Sequence, residues 1–169
     1  CYCTGTLECS AQITGGRRYP FGVDGQLTLV QRCRSDRARH AFVVGSRVPG
    51  PNVFLECVST YDYASSEPHH RWSVGGLYDN VQAELAIQDR GHMGSGHGWA
   101  GANYVVWNSR GSLICQQPPT AQNFSIGFVG TRGQDAFPRG AGWWESEGTP
   151  VEPRSLYQAQ LAARLGRQP

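Results

Sequence analysis

The sequence contains no lysine: all fifteen basic residues are arginine. Any cationic chemistry therefore falls to Arg or His. Charge is sparse, at 17% of residues with thirteen acidic groups and a net charge of +2. The densest basic cluster, Arg32, Arg34, Arg37 and Arg39, is interrupted by Asp36. That pattern reads as a solvated edge and lacks the basic stripe of a nucleic-acid binder, so no nucleic-acid partner is expected. Runs approaching the 18 or more apolar residues of a membrane-spanning helix are also missing, and no membrane partner is expected. The mean hydropathy is −0.43. An initiator Met and a signal segment are absent too, and the expectation is a processed product or a fragment of something longer.

The six cysteines form an N-terminal group (Cys1, Cys3, Cys9) and three dispersed residues (Cys33, Cys57, Cys115). None shows paired zinc-ribbon spacing, and disulfide-linked or buried cysteines of a secreted protein are the expectation. Glycine (22) and proline (10) are plentiful in the 169 residues, so tight turns are frequent. The length suits one domain.

Repeats come next, because a missed repeat misassigns a fold. An aromatic followed by Gly or small apolar residues recurs at Phe21, Phe42, Trp72, Trp99 and Phe124. Between these marks lie strand-like runs: Leu27–Val30, Val53–Leu55 and Tyr104–Trp107. Leu29, Val53 and Tyr104 stand four residues before Cys33, Cys57 and Asn108, which suggests one recurring buried turn position. A unit of about 21–30 residues with short strands and no helical period points to a solenoid. An antiparallel β-sandwich is the alternative, but it does not require the same residue to return at each turn. The predicted fold is all-β: a right-handed parallel β-helix of about five coils over residues 19–130. Residues 1–18 form a Cys-containing segment that could be the remainder of missing coils, and 131–169 an irregular tail. Within that tail Pro153-Arg154-Ser155 opens a helix through Leu165, closed by Gly166 and read as a cap over the last coil. The first coil is expected to be exposed, or covered by another chain or by missing coils.

The strings His69-His70-Arg71-Trp72, Leu77-Tyr78-Asp79-Asn80-Val81, Arg90 to Asn103 and Val106-Trp107-Asn108, with Gln117 to Asn123 and Pro153 to Tyr157, resemble the C-terminal half of secreted pectate-lyase-like β-helix proteins. The resemblance runs from about residue 38 to 166. It implies a pectin-lyase fold, an extracellular location and a polysaccharide partner, without naming the polysaccharide. Members of that superfamily usually have more coils than can be counted here.

All five histidines fall between positions 40 and 97, and His40, His70 and His97 each stand two residues before an aromatic mark. Residues i and i+2 share a strand face, so a ladder of these imidazoles is expected, flanked by Arg39, His69 and Gly96. A structural stack of imidazoles would satisfy the same pattern. For β-elimination from a uronic acid, the chemistry needs a cation on the carboxylate and a base for the C5 proton. Arg71, Arg90 or Arg39 would supply the first, or calcium held by Asp79 and Asp89; His70 or His97 would supply the second, and Tyr78 would protonate the leaving oxygen. No cofactor beyond that calcium is expected. Substrate contacts are assigned to His40, Arg39, His69, His92, Tyr61, Tyr63 and Trp107. Hydrolysis would instead need two flanking carboxylates, for which Asp79 and Asp89 are the pair, backed by Glu56, Glu67 and Glu84; both Asp residues also suit turns. His92, His97 and Asp89 match no established zinc spacing. A non-catalytic carbohydrate-binding or structural β-helix is the reading from a different class. Asn123-Phe124-Ser125 is a glycosylation sequon that could equally be an internal amide.

Overall fold

The computed structural model describes the backbone of residues 2–4 and the chain from 19 to 167. Its strands are short and bend-linked, and each ladder between named strands is parallel. The first turn comprises β2 (Phe21–Val23), β3 (Thr28–Gln31) and β4 (Arg34–Asp36); the second, β5 (Phe42–Val44), β6 (Asn52–Leu55) and β7 (Val58–Thr60). The third comprises β8 (Ser73–Val74), β9 (Gly76–Asp79) and β10 (Gln82–Ile87); the fourth, β11 (Gly101–Ala102), β12 (Val105–Trp107) and β13 (Arg110–Cys115). Beyond these lie β14 (Phe124–Ile126), β15 (Val129–Arg132) and β16 (Trp143–Glu145), while β1 (Tyr2–Thr4) pairs with β4.

Strands stack turn on turn into three walls. One holds β2–β5 and β8–β11, the second runs β3-β6-β9-β12-β14-β16, and the third runs β1-β4-β7-β10-β13-β15. The molecule is a parallel β-solenoid of about four turns, followed by the incomplete turn of β14 and β15. At the first-turn end β2 and β3 are terminal strands of their walls, whereas β1 continues the third wall.

The register shows which sequence marks were true. In the second wall Leu29, Val53, Leu77, Val105, Phe124 and Trp143 are successive partners. The pairing of Leu29 with Val53 agrees with the sequence reading. In the fourth turn the equivalent residue is Val105, not Tyr104. Four residues on, Cys33, Cys57, Val81, Ser109 and Phe128 form a buried column. Asn108 was one place out of it. The aromatic marks do not form a common row. Phe21 does pair with Phe42, and Trp72 N donates to Trp99 O (2.8 Å), but Phe124 belongs to the second wall, opposite Val105. The connections around the first wall vary in length, so aromatics near them drift out of phase.

Between second and third walls the chain bends at one recurring left-handed residue: Arg32, Glu56, Asn80, Asn108, Gly127 and Ser146 all have φ between 45° and 68°. Each of the first five donates its N–H to the strand end of the next turn at 2.8–3.0 Å. A non-glycine residue strains at such φ, and the Asn residues at two of these bends are among the side chains that tolerate it best. Inside, Phe54 stacks on Tyr78 (ring centroids 5.1 Å apart, 15° between planes) and Tyr78 on Tyr104 at 6.2 Å. These rings fill the interior, and with the buried aliphatics they make the core.

The sole long helix described, α1 (Leu156–Leu165), has the limits expected: the Ser155 side chain accepts from Gln158 N at 3.2 Å, and Gly166 ends it in the left-handed conformation. Its seat differs from the expected cap over the last coil. The tail crosses back along the second wall, and Leu156, Tyr157 and Leu161 line a groove with Leu29, Val53, Leu77 and Val105. The outward column of the second wall is apolar, and α1 lies along it across this groove, leaving Leu29 41% exposed. Cys33, Cys57 and Cys115 are buried free thiols; the expected disulfides are not formed among the described residues, and the side chains of Cys1, Cys3 and Cys9 lie outside them. Cys33 and Cys57 nevertheless occupy the neighbouring positions expected. Asn123 is fully buried, bonded to Tyr104 N, Gly101 O and Gln116 O, so the sequon is an internal amide.

Candidate functional site

The step from Leu77 to Val105 is 28 residues, against 24 for each of the two preceding turns. The longer connection makes a Gly-rich loop from Arg90 to Gly98, closed by Arg90 N to Gly98 O (2.8 Å) and Gly98 N to Gly91 O (2.9 Å). Its glycines all have positive φ, which lets the loop fold back over the first wall. Asp89 holds the base of this loop: its carboxylate accepts from Gly91 N and is paired with Arg139 at 2.8 Å. Arg71 holds the tip, donating to Ser95 Oγ at 2.8 Å.

Under the loop lies an open cleft of about 860 Å³, lined by Tyr19, Asp24, Arg39, His69, His70, Arg90 and His97 among others. Connections between successive turns each supply histidine here: His40 from the first, His69 and His70 from the second, His97 from the third. Ring centroids are 5.1 Å apart for His40–His69 and 5.0 Å for His69–His70, His69–His97 and His70–His97. Tyr19 packs on His40 and His69 at 5.2 and 5.5 Å. The predicted ladder is a cluster instead, with His69 at its centre. Both residues of the His69-His70 pair enter it, and their Nδ1 atoms are 3.1 Å apart.

Beneath the imidazoles sits Glu67, fully buried. Its Oε1 is 2.7 Å from Arg90 Nη1 and 3.3 Å from His40 Nδ1, and Ser65 Oγ donates to Oε2 at 3.1 Å. Burial pushes the Glu67 carboxyl up to about 7 against the opposing pull of Arg90. Burial also lowers His40 to about 4 and His69 to about 3, with Arg90 adding to both. His70 and His97 are lowered by burial and by neighbouring arginines. The imidazoles are therefore neutral near pH 7: lone-pair donors and proton acceptors. His97 Nδ1 is buried with no hydrogen-bond partner.

Of the residues singled out in the sequence, His69, His70, His97, Arg39 and Arg90 line the cleft and His40 packs against it; Arg71 braces its loop. Others lie elsewhere. Tyr78 is fully buried with its hydroxyl donated to Phe42 O, so it cannot reach a substrate. Asp79 is buried on the opposite flank, accepting from Ser155 Oγ and Tyr157 N. Strand β10 lies between Asp79 and Asp89, and both carboxylates are taken by structural bonds; they provide neither a shared calcium site nor a hydrolytic pair. Trp107 donates to Pro153 O on the tail. Tyr61 and Tyr63 are exposed away from the cleft lining, and His92 stacks edge-on against Phe137. The sequence reading gave Tyr19 no role and Glu67 only a supporting one. The signal for Glu67 was its place in Glu67-Pro68-His69-His70, a carboxylate two residues before a histidine pair. Comparison with known proteins found no matching family model, curated protein or solved structure.

Proposed function

We propose that the protein is a secreted, carbohydrate-active β-solenoid of pectate-lyase-like type that cleaves an acidic polysaccharide by β-elimination at the histidine cleft. The observation that carries this reading is the convergence of His69, His70 and His97 from successive connections with Tyr19, Arg39 and Arg90 around one open cleft. A base must be unprotonated at working pH, and these imidazoles are. In the proposed step His97 takes the C5 proton of a uronate. The C–H electron pair becomes the C4–C5 double bond as the C4–O bond breaks, and the Tyr19 hydroxyl protonates the departing oxygen. Arg39 and Arg90 stabilise the charge that builds on the substrate carboxylate.

The test is incubation with a panel of polyuronates while following ultraviolet absorbance of the conjugated product. Absorbance should rise, and His97→Ala should lower kcat by about 10²–10⁴-fold, the usual worth of a positioned acid or base. New reducing ends without absorbance would point to hydrolysis. A second reading, a non-catalytic sugar binder, draws on the exposed indoles of Trp72 and Trp143; binding with no cleavage of any polymer would favour it.

A further inference from the structure

We propose that His40, Glu67 and His69 form a binding site for a divalent late transition metal such as Zn²⁺, at the floor of the cleft. One ligand atom from each residue lies within 4.8 Å of the others. Tetrahedral bonds of about 2.0–2.1 Å would place ligand atoms about 3.3 Å apart, so small side-chain rotations close the set.

The donor chemistry suits this class of ion. Two neutral imidazoles and one carboxylate are a transition-metal set, whereas calcium and magnesium prefer oxygen throughout. His40 Nδ1 lies 2.6 Å from Ser65 O. A proton on Nδ1 shared with that carbonyl leaves Nε2 with its lone pair, the usual way an outer hydrogen bond fixes a metal-binding tautomer. Glu67 Oε1, although fully buried and ion-paired, receives no well-aligned hydrogen bond. Tyr19 Oη is 3.4 Å from His69 Nε2, near enough to contact an ion held there or its water.

Arg90 is the competing cation. Its Nη1 is 2.7 Å from Glu67 Oε1 and donates also to His69 O at 2.7 Å, so metal and guanidinium share or contest one carboxylate. Metal binding should therefore tighten when Arg90 is replaced by Gln. The site stands whether or not the cleft cleaves a sugar.

The test is equilibrium dialysis of the purified chain against Zn²⁺ alone, with Co²⁺ absorption reporting the coordination geometry. One ion per chain should be retained. His69→Ala and Glu67→Gln should each weaken binding by more than the roughly 10–100-fold that loss of a supporting hydrogen bond costs. His92→Ala, outside the cleft, should leave affinity unchanged. His69 is half-buried and its variant, checked by circular dichroism, carries the test if Glu67→Gln does not fold. Sub-stoichiometric retention, or affinity undiminished in His69→Ala, overturns the proposal. Metal binding without elimination would leave this site in place and remove only the lyase reading.

Discussion

Replacing Asp79 with Ala should loosen the C-terminal helix from the solenoid. Asp79 Oδ2 accepts from Ser155 Oγ (2.7 Å) and Tyr157 N (2.8 Å), and Oδ1 from Asn80 Nδ2 (2.7 Å). The residue is fully buried. A hydrogen bond to a charged group is worth about 1.5–3 kcal/mol, and an orphaned buried donor costs about 1–3 kcal/mol. Asn80 keeps a second acceptor, Arg154 O at 2.7 Å, so the loss is concentrated in the two bonds to the helix start. A carboxylate at a helix N-terminus adds about 0.3–1 kcal/mol. These contributions overlap, and once α1 detaches nothing more can be lost there, so about 3–4 kcal/mol is the expected destabilisation. Asp79→Asn keeps the shape and one carbonyl acceptor, and should cost about half as much. The measurements are urea unfolding and hydrogen exchange of amides in α1. An Asp79→Ala protein within about 0.5 kcal/mol of the parent, the ordinary spread of surface changes, with α1 amides equally protected, would refute the reasoning.

Other outcomes are open to measurement. Burial holds His40 neutral to about pH 4 in the folded chain, while the unfolded chain takes up its proton below about pH 6.5. Folded-state stability contributed here is thus lost as pH falls through that window, so the stability deficit of His40→Gln should shrink by up to about 1.4 kcal/mol per pH unit between those values; urea midpoints of both proteins across the range check the sign. Gly111 has φ 130°, and a Cβ there would overlap Ala83 O of the adjacent strand. Gly111→Ala should therefore cost more than 2 kcal/mol, at the upper end of the roughly 0.5–3 kcal/mol typical of point changes, read as a fall in thermal midpoint. Burial raises the Cys57 thiol to about 11 and Cys115 to about 12. Both should resist alkylation in the native protein and react once it is unfolded, as mass spectrometry would record.

The solenoid was legible in the sequence because stacking forces equivalent positions to recur. Leu29 with Val53, and Cys33 with Cys57, are true partners 24 residues apart. The reading slipped by one residue at Tyr104, which sits inside the solenoid just before β12 and imitates the strand position that Val105 holds. Phe124 misled for a related reason: the later steps shorten to 19 residues, so an aromatic spaced like its predecessors lands on a different wall. At the site, histidine clustering was visible as composition, but the choice of carboxylate was not. Asp79 and Asp89 sit in turn-like sequence and serve as backbone anchors, as their turn character allowed. Glu67 carries no turn signal, and its one cue, a place two residues before His69-His70, gains meaning once the inward alternation of its segment puts it under the imidazoles. The seat of α1 depended on knowing that the outer face of the second wall is apolar, which requires the register first.

The returning tail changes what kind of polymer this is. A stack of repeats in which each turn touches only its neighbours unfolds from its ends, and its stability grows by increments. Here Asn108 bonds Val151, Asn80 bonds Arg154 O, and Arg154 Nη1 reaches Glu56 Oε1, 98 residues away in sequence, at 2.7 Å. The tail thus latches turns that precede it by as many as 98 residues, and fraying at one level is opposed from several others. The early turns can therefore form before they are latched, and they are held only once the tail docks along the second wall. Contacts over such a separation form slowly relative to local ones, so docking of the tail is a late step of folding, and the chain with its tail docked melts as a unit where one cut before Val151 would unravel turn by turn.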